Sequence, residues 1–375
     1  MENINSKLIE WAITRAGYEL HDFFVKFPRV REWIDGTKNP TIKQLEDFTH
    51  KVHVPFGYLF LNEPPEEELE IPFFRTGNQE EQNVSLNTYH TVQMLQDRQA
   101  WLKEYLDENG FQDLNFVGKF KVNESYNDIV DDIRNQLGLE ENWASRHQNW
   151  QDTLNYITSK IEEIGVIVTF NGVVGNNTKR KISVDECRGF VLVDKKAPFL
   201  FINSGDAKAA QMFTLIHELA HIWLGESAGF DNNFMLPAND PIEILCDKVA
   251  AEFLVPKSYF IDQWKKIQDF KILSRHFKVS PIVIARRALD LNLISKDSFF
   301  SFYNSYISEF KAKKEQQSSG GDFYATSKKR VSPRFANYVN KAVKENYLLY
   351  RDAYKLTNLK GNTYDKFMNE HLYQV

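Results

Sequence analysis

The stretch Gln211-Met-Phe-Thr-Leu-Ile-His217-Glu218-Leu-Ala-His221-Ile-Trp-Leu-Gly225 contains two histidines four residues apart, with a glutamate directly after the first. The run 207–224 has neither proline nor glycine, so the sequence predicts a helix there. Residues at positions i and i+4 lie on one face of a helix, one turn apart. The two imidazoles can therefore reach one divalent ion at the roughly 2.0–2.1 Å that zinc prefers.

Glu218 is rotated by about 100° from His217 on such a helix, so it need not bind the metal itself. It lies beside the ion instead, where its carboxylate can take a proton from a water molecule. The pattern therefore predicts that His217 and His221 are metal ligands and that Glu218 is the catalytic base.

The alternative is an exposed helix with two solvated histidines. With 9 histidines and 51 acidic residues in 375, the pattern arises by chance in about 3 of 100 such chains. The surrounding residues are apolar nearly all round, and a helix of that kind is buried. Because buried histidines and glutamates need partners, the metal interpretation is favoured. The other histidines have no such ligand spacing, and we interpret them as structural.

A catalytic zinc site needs a third protein ligand and one open position. The segment Glu243-Ile-Leu-Cys-Asp247 starts 22 residues after His221, which leaves room for a loop and a returning helix. We assign Glu243 as the third ligand and Asp247, one turn further on, as the hydrogen-bond acceptor that orients a ligand histidine. The reverse assignment, or an ordinary solvated helix face, remains open. Cys246 is interpreted as a small buried residue.

Composition limits the class of protein. A length of 375 residues suggests two to three domains, and 42% hydrophobic with 26% charged residues is ordinary globular usage. A net charge of −5 argues against a basic nucleic-acid coat, and two cysteines are too few for a disulfide framework or a cysteine-built zinc site. There is no apolar signal segment and no 18-residue apolar run, so we expect a cytoplasmic protein without a membrane partner.

The order of patterns along the chain predicts its organisation. Short helices fill the first 61 residues, and an acidic, proline-containing stretch follows at 62–78. Helical periodicity marks 79–160, and three short β-rich runs precede the histidine helix within 161–300. Within residues 301–375, a polar loop at 311–321 is followed by a segment of helical pattern. The whole region contains 13 basic and 7 acidic residues. We predict domain boundaries after residues 61, 78, 160 and 300.

Four segments together are similar to the ImmA/IrrE family of metallo-endopeptidases, a gluzincin type. They are Cys187-Arg-Gly-Phe-Val-Leu-Val-Asp194, Ala197-Pro-Phe-Leu-Phe-Ile-Asn203, the histidine stretch 211–225, and Glu243-Ile-Leu-Cys-Asp-Lys-Val-Ala-Ala-Glu-Phe-Leu-Val-Pro256. The resemblance covers most of 160–300. It implies a zincin-like α+β domain, a small sheet plus the HExxH helix, in which Glu243 is the third zinc ligand. Many members have asparagine at the position of Asp247.

The resemblance also implies a zinc-dependent cytoplasmic peptidase that cuts a transcriptional repressor or similar regulator, in a stress or mobile-element response. In the mechanism, zinc polarises the scissile carbonyl and Glu218 passes the water proton to the leaving amine. Tyr324 and Arg188 are among several residues that could stabilise the oxyanion, and the sequence does not choose between them. If the strand Pro198–Ile202 is the sheet edge, an extended substrate could add to it as a further strand.

Residues 8–61 resemble the lambda-repressor-type helix-turn-helix domain, through segments such as Leu8-Ile-Glu-Trp-Ala12, Trp33-Ile-Asp-Gly36 and Pro40-Thr-Ile-Lys-Gln-Leu45. Between Leu20 and Trp33 the segment is about four residues short for the usual turn and recognition helix, and Pro28 stands where that helix would begin. Residues 1–60 have eight basic and eight acidic side chains, so this segment has no net positive charge that would favour binding to DNA. A protein-interaction or regulatory module is the alternative.

The rival hypothesis is a DNA-binding regulator that uses a peptidase-like fold as sensor or scaffold, and a third is a metal-free interaction protein. Contact with DNA could come from the N-terminal module or from the basic C-terminal region. A second stretch, Leu273–Arg287, also has a helix-turn-helix pattern, but it lies inside the peptidase resemblance, so we assign it a packing role.

Overall fold

A computed structural model describes residues 5–67, 84–230, 240–314 and 323–372, and of 228–230 and 309–314 only the backbone. Most of the predicted linker 62–78 and of the polar loop 311–321 lies outside these residues. The described residues form two compact units, one from 5–67 and 84–92 and the other from the residues after 92.

The α-helices in chain order are α1 (Ser6–Arg15), α2 (Leu20–Lys26), α3 (Pro28–Ile34), α4 (Ile42–Val52), α5 (Leu86–Glu108), α6 (Tyr126–Leu137), α7 (Trp150–Glu163), α8 (Lys208–Leu224), α9 (Pro241–Leu254), α10 (Lys257–Trp264), α11 (Phe270–Phe277), α12 (Pro281–Asp290), α13 (Lys296–Lys314), α14 (Phe323–Val331), α15 (Pro333–Lys344), α16 (Tyr350–Thr357) and α17 (Asn362–Lys366). Short 3-10 turns lie at Phe56–Phe60 and Trp143–Arg146, and a π-turn at Phe367–His371. The strands are β1 (Ile167–Phe170), β2 (Val173–Val174), β3 (Asn177–Lys181), β4 (Gly189–Leu192), β5 (Phe199–Ile202) and β6 (Ala228–Phe230).

The N-terminal unit is helical, as the sequence predicts. Apolar residues of α1 and α4 such as Leu8 and Leu45 are buried in its core. A capping box between Thr41 and Gln44 starts α4. Helix α3 begins at Pro28 and has only seven residues, which matches the short segment noted in the sequence. Whether this unit is a helix-turn-helix domain stays a prediction.

The second unit is built on a four-stranded mixed sheet in the order β1-β5-β4-β6, in agreement with the predicted α+β class. β5 runs parallel to β1 and antiparallel to β4, and β6 pairs antiparallel with the other side of β4. The three β-rich runs of the sequence are β1, β4 and β5. The sequence reasoning did not identify the hairpin β2–β3, whose strands are short and whose second strand is largely polar and exposed.

One prediction about this sheet is wrong. The strand that would receive an extended substrate, β5, is interior because it is hydrogen-bonded to β1 on one side and to β4 on the other. Its backbone groups are already paired, so no further strand can add there. All four residues of β5 are buried, the pattern expected of a strand covered on both faces.

Both faces of the sheet are covered by helices. Alternate residues such as Val191 and Leu200 join the large core cluster that includes α8 and α9. Phe199, which points to the opposite face, packs against Phe335 of α15, with ring centroids 5.7 Å apart. The sheet therefore lies between the histidine helix and helices of the C-terminal region.

Helices α11 and α12 form the pair that the sequence also allowed as a DNA-reading motif. Leu273 and Phe277 from α11 and Ile284 from α12 belong to the same core cluster as α8. This supports the packing role that we assigned to the pair. Within the described ranges, no helix combines the length and the apolar character needed to span a membrane.

Candidate metal centre

Helix α8 presents the two histidines from the interior of the second unit. It follows β5 and is apolar on nearly every side, so that residues 210–224 are all buried. Gly225 ends the helix in the left-handed conformation, with φ of 78°. His217 and Glu218 are 0% exposed and His221 is 1% exposed, so their polar atoms must find partners within the protein or in a ligand.

Helix α9 brings the acidic residues to the histidines. Asp240 caps its first turn by accepting hydrogen bonds from the amides of Ile242 and Glu243, at 2.7 and 3.3 Å. Pro241 occupies the first helical position, where its fixed φ favours a helix start. The cap therefore fixes the turn from which Glu243 points inward.

His217, His221 and Glu243 form the metal-ligand group found among the described residues. The Nε2 atoms of the two histidines are 3.2 Å apart. The Oε2 atom of Glu243 is 3.1 Å from Nε2 of His217, and its Oε1 atom is 3.3 Å from Nε2 of His221. A tetrahedral ion with bonds of roughly 2.0–2.1 Å holds its ligand atoms about 3.3 Å apart, so these distances fit such an ion.

Asp247 lies one turn beyond Glu243 and acts on His217 from the other side of the ring. Its Oδ1 atom is 3.0 Å from Nδ1 of His217. With the proton on Nδ1, the imidazole donates to Asp247, and Nε2 keeps the lone pair that a metal requires. Asp247 is thus placed to orient the histidine.

The ionisation of the cluster follows from burial and pairing. Burial alone would raise the pKa of Glu243, but hydrogen bonds from His217 and His221 outweigh it and hold that pKa well below its ordinary value. For His217 burial lowers the pKa, but hydrogen bonds to Asp247 and Glu243 raise it to about 10. Since a coordinating imidazole is neutral, a metal ion competes with that proton for Nε2.

Glu218 differs from these residues because its carboxylate has no hydrogen-bond partner among the described residues, although both oxygens are buried. Burial raises the pKa of this carboxyl well above its ordinary value. An orphaned buried carboxyl next to three metal-ligand atoms suits a group that exchanges a proton with a bound water or substrate.

The two named candidates for oxyanion stabilisation contact other groups in the structure. Arg188 forms an ion pair with Asp206 at 2.7 Å. The ring of Tyr324 stacks on His371, with centroids 4.0 Å apart. These contacts do not assign the oxyanion donor to either residue. Cys246 is fully buried, as the sequence indicated, and is not part of the ligand group found among the described residues. Glu252 forms an ion pair with Arg287.

The sequence reasoning missed Gly189 at the start of β4. A Cβ atom at this position would lie 2.6 Å from Cγ2 of Thr214, 2.9 Å from the carbonyl oxygen of Phe201 and 3.4 Å from Cγ of Glu218. Only glycine lets the strand pass this close to α8. The available signal was a glycine that opens an otherwise apolar strand, which often marks a close backbone approach.

Comparison with known families supports the same region. Residues 161–289 match the IrrE N-terminal-like domain of the Peptidase_M78 family, and residues 331–370 match a domain of unknown function (DUF8813). No curated protein matches the chain. The first match covers about a third of the chain and contains α8 and α9 with the His-His-Glu group. It confirms the predicted metallopeptidase class for this domain.

Proposed function

From this IrrE N-terminal-like domain and its buried ligand group, we propose that the protein is a zinc-dependent endopeptidase. The observation that supports the proposal most directly is the spacing of 3.1 to 3.3 Å among the donor atoms of His217, His221 and Glu243. Two imidazoles and one carboxylate are a donor set typical of catalytic zinc, with one position left for water or substrate.

Each side chain has a distinct part in the proposed reaction. When bound, the metal supplies Lewis acidity, which makes water a stronger nucleophile at neutral pH and polarises the scissile carbonyl. Glu218 accepts a proton from the attacking water at one carboxylate oxygen and then donates it to the nitrogen of the leaving amine. Asp247 holds the His217 ring in the tautomer that presents Nε2.

For the substrate we propose a regulatory protein of the repressor type, which is what the resemblance to ImmA/IrrE peptidases implies. The second candidate function is a DNA-binding regulator whose peptidase-like domain acts as sensor or scaffold. The net charge of +6 over residues 301–375 favours it. The two functions differ in what they require of Glu218, because a scaffold needs no base.

Glu218→Gln tests the proposal. The amide preserves the size of the side chain but cannot accept the proton, so the variant should keep one zinc per chain and lose at least about 100-fold of the cleavage rate. The protein is incubated with the regulator encoded beside its gene, with and without a chelator, and cleavage is followed by mass spectrometry. Metal content is measured on the same samples.

His217→Ala is the matched control, because it removes a ligand and should abolish both zinc binding and cleavage. Wild-type protein without stoichiometric metal would contradict the zinc site. A Glu218→Gln protein that retains full biological activity would contradict the proposed peptidase function. It would favour a regulator in which the peptidase-like domain is a scaffold.

A further inference from the structure

We propose that Thr214 is the positioning residue for Glu218, and that its hydroxyl donates the hydrogen bond that orients the catalytic carboxylate. This inference rests on the proposed function, and it deepens it by naming the group that holds the base. Thr214 lies on α8 four residues before Glu218, so the two side chains share one face of the helix.

Helix geometry directs Glu218 toward Thr214. Side chains on a helix point back toward its N-terminus and cover the residue one turn earlier. The contacts of Gly189 show the same proximity independently, because the ideal Cβ position there is 2.6 Å from Cγ2 of Thr214 and 3.4 Å from Cγ of Glu218. The two side chains therefore meet against the same point of β4.

The hydroxyl of Thr214 is the feature that packing does not explain. The residue is 1% exposed, and its Oγ1 atom has no hydrogen-bond partner among the described residues. Both carboxylate oxygens of Glu218 are also buried without a hydrogen-bond partner among the described residues. An unpartnered buried polar group is costly, and a valine would fill the same space without that cost. A hydroxyl donor and a carboxylate acceptor, adjacent and both unpartnered, are complementary.

The last side-chain torsion of Glu218 has broad minima, so its carboxylate can turn toward the hydroxyl at little energetic cost. Catalytic hydrogen bonds commonly tighten only when substrate is bound. With one oxygen held by Thr214, the other faces the reacting water and receives its proton. Gly189 supports this arrangement, because the absence of a side chain there lets β4 confine both residues.

The test compares Thr214→Val, which keeps the shape and removes the hydroxyl, with Thr214→Ser, which keeps the hydroxyl. We expect Thr214→Val to lower kcat about 10- to 100-fold with unchanged KM and unchanged zinc stoichiometry. Thr214→Ser should restore most of kcat. Thr153→Val is the matched control, because Thr153 is also a buried helical threonine but its hydroxyl donates to the carbonyl of Asn149.

An infrared measurement on the metal-free protein gives a readout that does not depend on activity. The C=O stretch of protonated Glu218, identified by its loss in Glu218→Gln, should move to higher frequency in Thr214→Val and not in Thr153→Val. The proposal is overturned if the band does not move, if Thr214→Val has wild-type kcat, or if Thr214→Ser is impaired as strongly as the valine variant. If the wild type and Glu218→Gln cleave equally, the proposed function fails instead, and the infrared shift still decides the hydrogen bond.

Discussion

Because Gly189 has no side chain, strand β4 can approach Glu218 of the candidate centre closely. Thr214 and Glu218 of α8 and the carbonyl oxygen of Phe201 in the neighbouring strand surround the position that a Cβ atom would occupy. Interiors packed this densely respond to a single added methyl group. The arrangement of Thr214 and Glu218 therefore depends on the small volume of the residue at position 189.

Gly189→Ala should therefore destabilise the second unit. The added Cβ would lie 2.6 Å from Cγ2 of Thr214 and 2.9 Å from a backbone oxygen, so strand or helix must shift. Overpacking of this kind costs about 1–3 kcal/mol in the free energy of unfolding, measured by urea denaturation. Gly57→Ala is the control, because nothing lies within 4 Å of a Cβ there. Equal losses in the two variants would contradict the packing argument.

Among the elements, α9 decides whether the ligand group is complete. Its first turn is fixed by the Asp240 cap, and its last carbonyls are bound by two arginines from other helices. Arg134 of α6 donates to the carbonyls of Glu252 and Phe253, and Arg287 of α12 donates to that of Val255. Both ends of the helix that presents Glu243 are therefore held by hydrogen bonds.

Asp240→Ala should weaken the metal site without touching a ligand. Loss of an N-cap side chain costs about 1 kcal/mol of stability, and one of the two amides that Asp240 binds belongs to Glu243 itself. We expect a lower free energy of unfolding and weaker zinc binding, measured by urea denaturation and by competition with a chelating dye. Asp240→Ser retains a cap and serves as control. If the alanine variant binds zinc with wild-type affinity, this prediction is wrong.

On the scale of the second unit, helices that precede and follow the peptidase domain are hydrogen-bonded to it. Gln99 of α5 donates to the carbonyls of Leu192 and Ala197 beside the sheet. On α7, Glu162 accepts a hydrogen bond from the hydroxyl of Ser332, which starts α15, and both residues are buried. Arg334 also donates to the carbonyl of Glu162, at 2.7 Å. The helices that follow residue 330 are thus joined to the peptidase domain by buried polar contacts.

Glu162 makes this junction sensitive to pH. Burial raises the pKa of its carboxyl from 4.5 to about 7, because desolvation outweighs the hydrogen bond from Ser332. An acid whose folded pKa is raised binds more protons when folded, so its contribution is full below the unfolded pKa and is lost as pH rises through about 7. Between about pH 5 and pH 8 the loss amounts to about 2 kcal/mol.

Glu162→Gln should abolish that part of the pH dependence. We expect the free energy of unfolding to fall less between these two pH values in the variant than in the wild type, as measured by urea denaturation at each pH. Glu163→Gln is the matched control, because the neighbouring side chain is exposed and pairs with Lys160. An identical pH dependence in the wild type and in Glu162→Gln would show that the buried carboxyl does not titrate as argued.

Local periodicity and spacing were enough to predict the elements around the site and the residues that meet there. The predicted helix 207–224 coincides with α8 to within one residue, and the expected returning helix that contains Glu243 and Asp247 is α9. The two histidines share a face through spacing alone. Only the folded chain brings Glu243, on a different helix, to within 3.3 Å of them.

The order of the strands, the close approach at Gly189 and the role of the C-terminal helices were decided by the tertiary structure. The sequence of β5 resembles that of any short apolar strand. It is interior because β1, which is separated from it by two hairpin strands and β4, pairs with the edge that β4 leaves free. The physical reason is range: helix faces and caps depend on residues within one or two turns, which a sequence displays directly. Strand order and buried contacts such as that of Glu162 with Ser332 depend on segments that are distant in the sequence. These segments meet because their apolar surfaces are buried against each other when the chain folds.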